Sequence, residues 1–504
     1  MASPRIRTTL AIAVSLICMG CASPPPTTVS SATPSVPSEL TAYYTQNINW
    51  QPCTPATTCA DIRVPVDYTA PQRGDTTVRI QKRAATSERQ GALFFNPGGP
   101  GVSGAEYANV ADFFISSDVL QHYDFIGVDP RGVGQSAPLE CLTDLQRNSR
   151  FTSDPYPRTR NETLTRDQHG SDIASACHRQ AGDRLAYMST EQVARDFDVI
   201  RSALQEPQLN YLGKSYGSKL GLTYAELFPD RVGKIILDGI LPTDLSVSGI
   251  AYGQALATEQ ALTNFLRWCL ARNLCPWSAS GDATRTETQL RRWLQRLPVS
   301  PPTSDASTVT AGIATWGIRY GLASSPDSGW KELADAITAG FRGDGTPLQA
   351  ILDARTGRDP DTSTYTTPTQ DAFLAVHCLD TADTFHPAQY PQQMTPWWEN
   401  APTFGPALAW DTVTCSHWPY RQPPTVTATE LPHPILLLNY TDDSITPVSW
   451  AHRVHRTLPN STLATVNGVG HSVYRSGSAC ADRIVDDYLL NSIAANQRVI
   501  TCNS

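Results

Sequence analysis

The stretch Gly213-Lys214-Ser215-Tyr216-Gly217 decides the fold, because the residues on both sides of it fit one structural context. Leu209-Asn210-Tyr211-Leu212 before it is typical of a short strand, and residues 218–225 after it are typical of a helix. A Gly-x-Ser-x-Gly turn between a strand and a helix leaves no room for side chains beside the serine, and it holds the serine in a strained, exposed conformation. The pattern predicts a reactive serine at the carboxyl end of a strand.

Short apolar runs separated by helical patterns predict an α/β fold with a mostly parallel sheet flanked by helices. The runs are residues 92–95, 125–128, 209–212, 234–237, 434–439 and 463–466. Between the runs 234–237 and 434–439 the chain shows mainly helical periodicity, and this segment contains nine of the 11 tryptophans. We interpret it as an inserted, mainly helical cap domain. The predicted domains are the first part of the core (41–241), the cap (242–431) and the C-terminal part of the core (432–504).

A helix is predicted just before the serine-bearing turn, from Ser189 to Leu204. Ser189 followed by Gln192 suits a capping box. The apolar residues Val193, Phe197, Ile200 and Leu204 fall on one stripe, and Asp196, Asp198 and Arg201 fall on other faces.

Length and charge limit the classes of function. At 504 residues the chain is too long for one simple core, which favours one large domain with an insertion, or two domains. It carries 39 basic and 47 acidic side chains, and loss of Arg5 and Arg7 with the first 20 residues leaves 37 against 47, a net charge of −10. A nucleic-acid-binding protein needs a basic surface, so nucleic acid is not an expected partner.

The first 20 residues have the pattern of an export signal. Arg5 and Arg7 precede an apolar stretch, Thr9 to Met19, that is too short to span a bilayer as a permanent helix. Cys21 follows, and serine, proline and threonine then dominate residues 21–40, as in a disordered tether. This arrangement resembles a bacterial lipoprotein signal with a lipid on Cys21, and secretion after an ordinary signal peptide is the alternative.

The remaining cysteines also indicate export. Ten are left after Cys18 and Cys21 are set aside, and an even number in an exported chain implies disulfides. Sequence does not determine their connectivity, and our hypothesis is that neighbours along the chain pair: Cys53 with Cys59, Cys141 with Cys177, Cys269 with Cys275, Cys378 with Cys415, and Cys480 with Cys502. A metal site is the alternative, but Cys-x-x-Cys pairs and zinc-like histidine spacings beside cysteine are missing from the mature sequence. We expect neither a metal nor an organic cofactor.

A serine nucleophile needs a base and an acid that orients the base. On a framework of this kind they follow the serine in the order acid, then histidine. Asp443 follows the strand that ends at Asn439, and His471 follows the strand that ends near Val466. Because both positions lie after strands, at the sheet edge predicted to hold Ser215, we predict a triad of Ser215, Asp443 and His471.

Other residues were weighed for the same roles. Asp442 is the alternative acid, and Asp443 is favoured by its spacing to the Thr-Pro pair that follows. His433 precedes its strand, which places it at the opposite end of the sheet. His452 and His455 fall in a predicted helix.

Acyl transfer also needs N–H donors for the developing oxyanion. Asn96-Pro97-Gly98-Gly99-Pro100-Gly101 follows the strand 92–95, and its glycines allow the backbone to approach a substrate closely. Pro100 has no N–H. We predict the amides of Gly99 and Tyr216 as the two donors.

A second glycine-containing loop, residues 129–136, ends the strand 125–128. Its glycines lack the spacing of a dinucleotide-binding fingerprint. We interpret it as a structural loop held by Asp129 and Arg131.

These motifs belong to a larger set that extends from about Trp50 to Cys502. The set comprises Cys59–Tyr68, Asn96–Gly104, Asp129–Gly132, Gly213–Gly217, Tyr224–Pro229, Leu237–Gly239, Cys378–Asp380, Cys415–Pro419 and the region of His471. In this combination the chain resembles the exported tripeptidyl aminopeptidases among the prolyl-aminopeptidase-like serine peptidases of the α/β-hydrolase fold.

The resemblance implies Ser215 as nucleophile, Asp443 as acid and His471 as base, in an enzyme that cleaves short units from peptides with a free N-terminus. Binding the terminal ammonium requires an acid near the cleft, and Glu106 and Asp380 are the candidates. A carboxylic-ester hydrolase on the same framework is one alternative. A non-catalytic binding protein of the cell surface is another, although the presence of all three triad candidates argues against it.

Overall fold

Ten strands form one sheet in the computed structural model, which describes residues 36–300, 307–327, 329–381, 393–423, 434–491 and 498–503. The strands are β1 (Gln51–Thr54), β2 (Thr57–Pro65), β3 (Asp75–Arg83), β4 (Gly91–Asn96), β5 (Tyr123–Val128), β6 (Leu209–Lys214), β7 (Val232–Asp238), β8 (Ile435–Asp442), β9 (Ser461–Val469) and β10 (Val499–Asn503). Their order across the sheet is β1-β2-β3-β5-β4-β6-β7-β8-β9-β10. The seven strands from β5 to β10 in this order run parallel, which confirms the predicted mostly parallel sheet.

All six apolar runs correspond to strands in the structure, each two to five residues longer than its run, and β8 begins at Ile435, one residue after the start of its run. The sequence interpretation missed four strands: β1, β2, β3 and β10. β1 pairs antiparallel with β2, β2 with β3, and β3 with β5, whereas β10 pairs parallel with β9. β2 alternates buried and exposed residues along much of its length, because one of its faces is open to solvent, so it carries no continuous apolar run.

The parallel strands are covered on both faces. In β4, Leu93 and Phe95 pack into one cluster of the core and Phe94 packs into the cluster on the opposite face. All three side chains are buried. This two-sided burial explains why the central strands are recognisable as continuous apolar runs.

The α-helices of the described residues follow one another in chain order. They are α1 (Thr41–Tyr44), α2 (Ser117–His122), α3 (Asp144–Thr152), α4 (Arg160–Ala181), α5 (Thr190–Ala203), α6 (Tyr216–Leu227), α7 (Val247–Ala271), α8 (Ala283–Leu294), α9 (Ala311–Leu322), α10 (Trp330–Phe341), α11 (Thr346–Thr356), α12 (Thr369–Leu379), α13 (Thr395–Asn400), α14 (Gly405–Asp411), α15 (Val413–Ser416), α16 (Val448–Thr457) and α17 (Ala479–Asn491). None of these described helices combines the length and the apolar character needed to cross a membrane.

Helices α7 to α15 lie between β7 and β8, and we call this segment the cap. Most of its helices surround a separate apolar cluster, which contains Phe265, Trp330 and Trp410, whereas α12 packs against the core of the sheet. A segment from earlier in the chain, which contains α3, joins the cap. Phe151 at the end of α3 packs edge-on against Trp316 with 5.6 Å between ring centroids. Tyr156, which follows α3, donates its hydroxyl to the carbonyl of Thr403 at 2.9 Å. The cap is therefore built from two separate segments of the chain.

Helix α5 lies where the periodicity predicts it, but its polar residues differ from the expectation. The Ser189 hydroxyl accepts from the amide of Gln192, whereas the Gln192 side chain does not return the bond, so the capping box is half formed. Asp196 and Asp198 are fully buried, because they pair with Arg131 and with Arg201 respectively.

All five disulfides join the pairs that the sequence hypothesis proposed. The predictions that concern the signal peptide, Cys21 and His433 fall outside the described residues, as does the predicted tether up to residue 35. The last part of that tether is ordered, because Ser38–Leu40 form a helical turn and Leu40 is buried.

Candidate active site

Ser215 stands on the turn between β6 and α6 with φ 57° and ψ −123°, a conformation that is strained for any residue with a side chain. The two glycines of the motif are there for steric reasons. A Cβ atom on Gly213 would lie 2.2 Å from the carbonyl oxygen of Gly217, and one on Gly217 would lie 2.6 Å from that of Asn96. The Ser215 amide donates to the carbonyl of Asp238 at 2.7 Å, which ties the turn to the end of β7.

His471 and Asp443 are brought together from two loops that follow neighbouring strands, β9 and β8. Nδ1 of His471 lies 2.9 Å from Oδ2 of Asp443, and since an ionised carboxylate only accepts hydrogen bonds, Nδ1 carries the proton. Asp443 is 2% exposed. Asp442, the alternative acid, instead accepts from the side chain of Asn264 at 3.2 Å. The structure thus places Asp443, and not its neighbour, beside the histidine.

Four hydrogen bonds hold the Asp443 carboxylate. Oδ1 accepts from the amides of Ile445 at 2.8 Å and Thr446 at 2.9 Å. Oδ2 accepts from the Thr446 hydroxyl at 2.8 Å as well as from His471. This carboxylate is therefore fixed in one orientation, and it fixes the imidazole ring in turn.

The histidine loop is anchored by a residue that the sequence interpretation missed. Asp238, at the end of β7, is fully buried and accepts from the amides of Val473 at 2.6 Å and Tyr474 at 3.0 Å. Burial raises the pKa of its carboxyl group, while the nearby Lys214 and the two amides act in the opposite direction. Gly239 follows with φ 75°, and a Cβ there would lie 3.3 Å from the His471 ring. The available signal was the Asp-Gly pair at the end of an apolar strand.

Ser215 and His471 line one cavity of about 520 Å³ between the carboxyl edge of the sheet and the cap. No hydrogen bond joins the Ser215 hydroxyl to the imidazole among the described residues. Such bonds are often long in an enzyme without substrate and tighten when substrate binds. The imidazole and the hydroxyl nevertheless open onto the same space.

The predicted oxyanion donors also face this cavity. The Gly98 amide is already used, because it donates to the side chain of Asn96 at 3.0 Å. Gly99 comes next and lines the cavity with φ 107°. Tyr216 is the first residue of α6, so its amide has no acceptor within the helix. A Cβ atom on Gly98 would lie 3.1 Å from that amide nitrogen, which shows how closely the two loops approach.

Aromatic rings and positive charges make up much of the rest of the cavity wall. The aromatic side chains come from Phe95, Tyr107, Phe114, Phe151, Tyr216, Trp316, Tyr320 and Phe373. The cations are Arg150, Lys214, Arg319 and Arg355, whereas Asp411 is the single carboxylate among the described lining residues. Arg150 binds Asp411 through two hydrogen bonds of 2.7 Å. His377 also lines the cavity, and burial, with help from nearby Lys219 and Arg150, lowers its pKa to about 4.

Neither acid proposed for the substrate ammonium reaches this cavity. Asp380 is buried and accepts from Lys219 Nζ at 2.9 Å and from the Thr190 amide at 2.9 Å. Glu106 is exposed at the start of the turn that follows Gly104. The structure corrects both assignments, since Asp380 neutralises a buried lysine and Glu106 faces solvent.

The loop 129–136 has the structural role that the sequence interpretation gave it. Asp129 accepts from the hydroxyl of Ser103 at 2.6 Å and from the amide of Gln135 at 2.9 Å. Arg131 forms a buried ion pair with Asp196. A second groove, of about 660 Å³, lies on α8 of the cap and contains none of the predicted site residues.

Comparison with known proteins gives consistent results. The family model described as TAP-like protein matches residues 401–502. The tripeptidyl aminopeptidase of Streptomyces lividans is 32% identical over 468 residues, 88% of this chain and 83% of that protein. The serine protease Hip1 of Mycobacterium tuberculosis is 28% identical over 474 residues, 88% of this chain and 89% of that protein.

A third relative carries a different name. Carboxylesterase B of Mycobacterium tuberculosis is 32% identical over 453 residues, 86% of this chain and 84% of that protein. Among solved structures, an alpha/beta hydrolase fold protein from Chitinophaga pinensis covers 90% of this chain and 98% of its own, with 12% identity and a TM-score of 0.37.

The fold and the relatives define the class of this protein: it is a serine hydrolase with an α/β-hydrolase fold. Within that class, the chain belongs to the tripeptidyl aminopeptidase family, since its relatedness to that enzyme extends over most of both chains.

Proposed function

We propose that this protein is an exported serine exopeptidase that releases tripeptides or similar short units from the free N-termini of peptides. The observation that carries the proposal is the His471–Asp443 pair, which opens onto the same cavity as the strained Ser215 in a relative of tripeptidyl aminopeptidase. A volume of about 520 Å³ falls within the range of about 300–1,000 Å³ typical of small-ligand sites. The cap therefore suits a short peptide segment rather than a folded chain.

In the proposed mechanism the Ser215 oxygen attacks the scissile carbonyl carbon while Nε2 of His471 takes the hydroxyl proton. Asp443 holds Nδ1 and stabilises the imidazolium that forms. The amides of Gly99 and Tyr216 donate to the oxyanion. The imidazolium then protonates the leaving amine, and the peptide bond breaks to leave an acyl-enzyme on Ser215. Water, activated by the same histidine, hydrolyses that ester and regenerates the hydroxyl.

Export is the second part of the proposal, either as a lipoprotein anchored at Cys21 or by secretion. Five disulfides favour an oxidising, extracytoplasmic location. When the full chain, including its first 20 residues, is expressed in a bacterium, the wild-type protein should be found in the membrane fraction. The Cys21→Ala variant should not. Wild-type protein in the culture medium would support secretion, and wild-type protein in the cytoplasm would contradict export.

The test of peptidase activity compares matched peptides with free and with acetylated N-termini, and identifies the products by mass spectrometry. An exopeptidase should release three-residue fragments from the free peptides and lose activity on the acetylated ones. Ser215→Ala should lower kcat by about three to six orders of magnitude, whereas Ser280→Ala, at an exposed serine of the cap, should not change it. Near-normal turnover by Ser215→Ala would contradict the mechanism.

An ester hydrolase is the second candidate, favoured by the relative named carboxylesterase B. It is also favoured by the cavity itself, because the single carboxylate among the described lining residues is bound by Arg150 and so is not free for an ammonium group. Faster hydrolysis of simple esters than of every peptide, together with indifference to N-acetylation, would select this candidate.

A further inference from the structure

The cap wall of the cavity contains a buried cation without a carboxylate partner. Arg319, on α9, lines the cavity and is 6% exposed. No aspartate or glutamate of the described residues lies within ion-pairing distance of its guanidinium group. Burying an unpaired charge is costly, so this arrangement requires an explanation.

Two other buried arginines bind carboxylates. Arg131 binds Asp196 through two side-chain hydrogen bonds, and Arg147 binds Asp371 in the same way at 2.8 and 2.9 Å. Arg319 differs from these two, because it lines the cavity and no carboxylate of the described residues pairs with it.

The protein provides hydrogen-bond acceptors for only part of the Arg319 guanidinium group. Nη2 of Arg319 donates to Oε1 of Gln254 at 3.0 Å, whereas Nε is buried and has no hydrogen-bond partner within the part of the chain that the structure describes. The guanidinium carbon lies 5.4 Å from the ring centroid of Trp316 and 5.2 Å from that of Tyr320, distances that suit cation–π contact. The rings stabilise the charge but leave the Nε–H donor without an acceptor.

Neighbouring positive charges make the binding of an anion beside Arg319 more favourable. Arg150 is neutralised by Asp411, but Arg355 is exposed at the cavity, over the Tyr320 ring, and has no carboxylate within ion-pairing distance among the described residues. Burial lowers the pKa of Arg319, Tyr320 and Asp411 raise it, and Arg355 and Arg150 lower it further. An arginine nevertheless stays charged at neutral pH. The wall around α9 thus carries an excess of positive charge.

We propose that Arg319 determines specificity by binding a carboxylate group of the substrate. A carboxylate accepts two hydrogen bonds from a guanidinium group and would neutralise the buried charge. Gln254 connects this position to the reaction centre, because its Nε2 donates at 3.0 Å to the carbonyl of Ile445, two residues after Asp443. The inference rests on the proposed function only in taking the substrate to be a peptide.

Two parts of a peptide could supply this carboxylate: an acidic side chain, or the C-terminal carboxylate. The first arm of the test measures kcat/KM for tripeptide p-nitroanilides in which glutamate or glutamine stands at each position in turn. The second arm compares short peptides that have a free or an amidated C-terminus. A preference in one arm identifies the source, because only the charge differs within each pair.

The wild type should prefer the charged member of one pair by at least about tenfold. Arg319→Gln keeps a partner for Gln254 but removes the charge, and it should reduce the preference to within about twofold. Arg292→Gln, at an exposed arginine in the groove on α8, is the matched control and should keep the wild-type preference. Because the measurement is a ratio, a partly inactive preparation does not alter it.

Equal rates for both members of every pair in the wild type would overturn the proposal, as would an unchanged preference in Arg319→Gln. Thermal unfolding and labelling by a neutral fluorophosphonate check that the variant is folded. If it is not, Arg319→Lys, which retains the charge, should retain part of the preference, and loss of all of it would count against the proposal. If no peptide is cleaved, the proposed peptidase function fails, and the p-nitrophenyl esters of succinate and butyrate test Arg319 independently with the same expected ratios.

Discussion

Replacing Asp443 by asparagine tests the proposed triad with almost no change in side-chain size. Oδ1 of Asp443 accepts two backbone amides, so the oxygen of an asparagine must take that position. Its NH₂ group then faces Nδ1 of His471, now 2.9 Å from the carboxylate. Because that contact requires Nδ1 to accept, the ring proton moves to Nε2. A ring protonated at Nε2 cannot take the proton of Ser215.

The expected loss is large. A substitution that forces the wrong tautomer in a serine protease triad lowers kcat by about 10⁴-fold. By transition-state theory this corresponds to about 5 kcal/mol of lost stabilisation. We expect a loss of this size for Asp443→Asn, measured as kcat on the best peptide or ester substrate, with an unfolding midpoint close to that of the wild type.

The chain itself offers the matched control, Asp442→Asn. It removes the same charge from the same loop, one residue away, where the carboxylate accepts from Asn264 instead of the histidine. This variant should keep kcat within about threefold, since it leaves the orientation of the base unchanged. An equal fall in both variants would mean that the loop acts through its charge, and more than a tenth of wild-type kcat in folded Asp443→Asn would refute the tautomer argument.

Three further perturbations address the surroundings of the site. Gly239→Ala should abolish most activity, because the added methyl group would lie 3.3 Å from the imidazole of His471. The control is Gly357→Ala, which has nearly the same φ (73° against 75°) but no described atom within 4 Å, so it should lower stability through backbone strain and leave activity unchanged. Equal activity in the two variants would argue against steric displacement of the histidine. Burial raises the pKa of Glu259 to about 7, so the folded state binds this proton more tightly than the unfolded state, whose value is 4.5. The free energy of unfolding of the wild type relative to Glu259→Gln should therefore fall by at most about 3 kcal/mol as the pH rises from about 4.5 to about 7; denaturant titrations that show no such trend would contradict the shift. Replacing Cys378 and Cys415 by serine removes a disulfide of sequence separation 37 that joins α12 to α15. Calorimetry should show that the free energy of unfolding falls by about 4 kcal/mol. An unchanged unfolding midpoint would show that helix packing alone holds the two helices together.

The positions of the candidate site residues could be predicted because chain order and the geometry of a parallel sheet both limit where they lie. Parallel strands end at the same edge, so residues that directly follow β6, β8 and β9 had to meet there. This reasoning placed His471 and Asp443 within hydrogen-bonding distance although 28 residues separate them. Spacing also favoured Asp443 over Asp442, and Asp443 is the one of the two that lies beside His471.

Antiparallel strands and polar partners were harder to predict. β2 and β3 have an open face, so their apolar residues alternate with polar ones and form no continuous run. Asp196 and Asp198 looked like surface residues of an amphipathic helix, yet both are buried. Asp196 pairs with Arg131, and Asp198 pairs with Arg231 as well as with Arg201 of its own helix, so each has a partner that is distant in sequence. Local periodicity contains no information on such partners.

Local pattern was enough to predict the serine turn, the parallel strands β4 to β9 and the chain order of the acid and the base. Pairing of neighbours along the chain was a hypothesis for the ten cysteines, and the structure confirms it. Three other features come from tertiary contacts alone: α3 joins the cap, Asp380 neutralises a lysine, and Arg319 faces the cavity without a carboxylate partner. Each of these depends on which distant side chains share a low-dielectric space, and such proximity is set by packing of the whole chain.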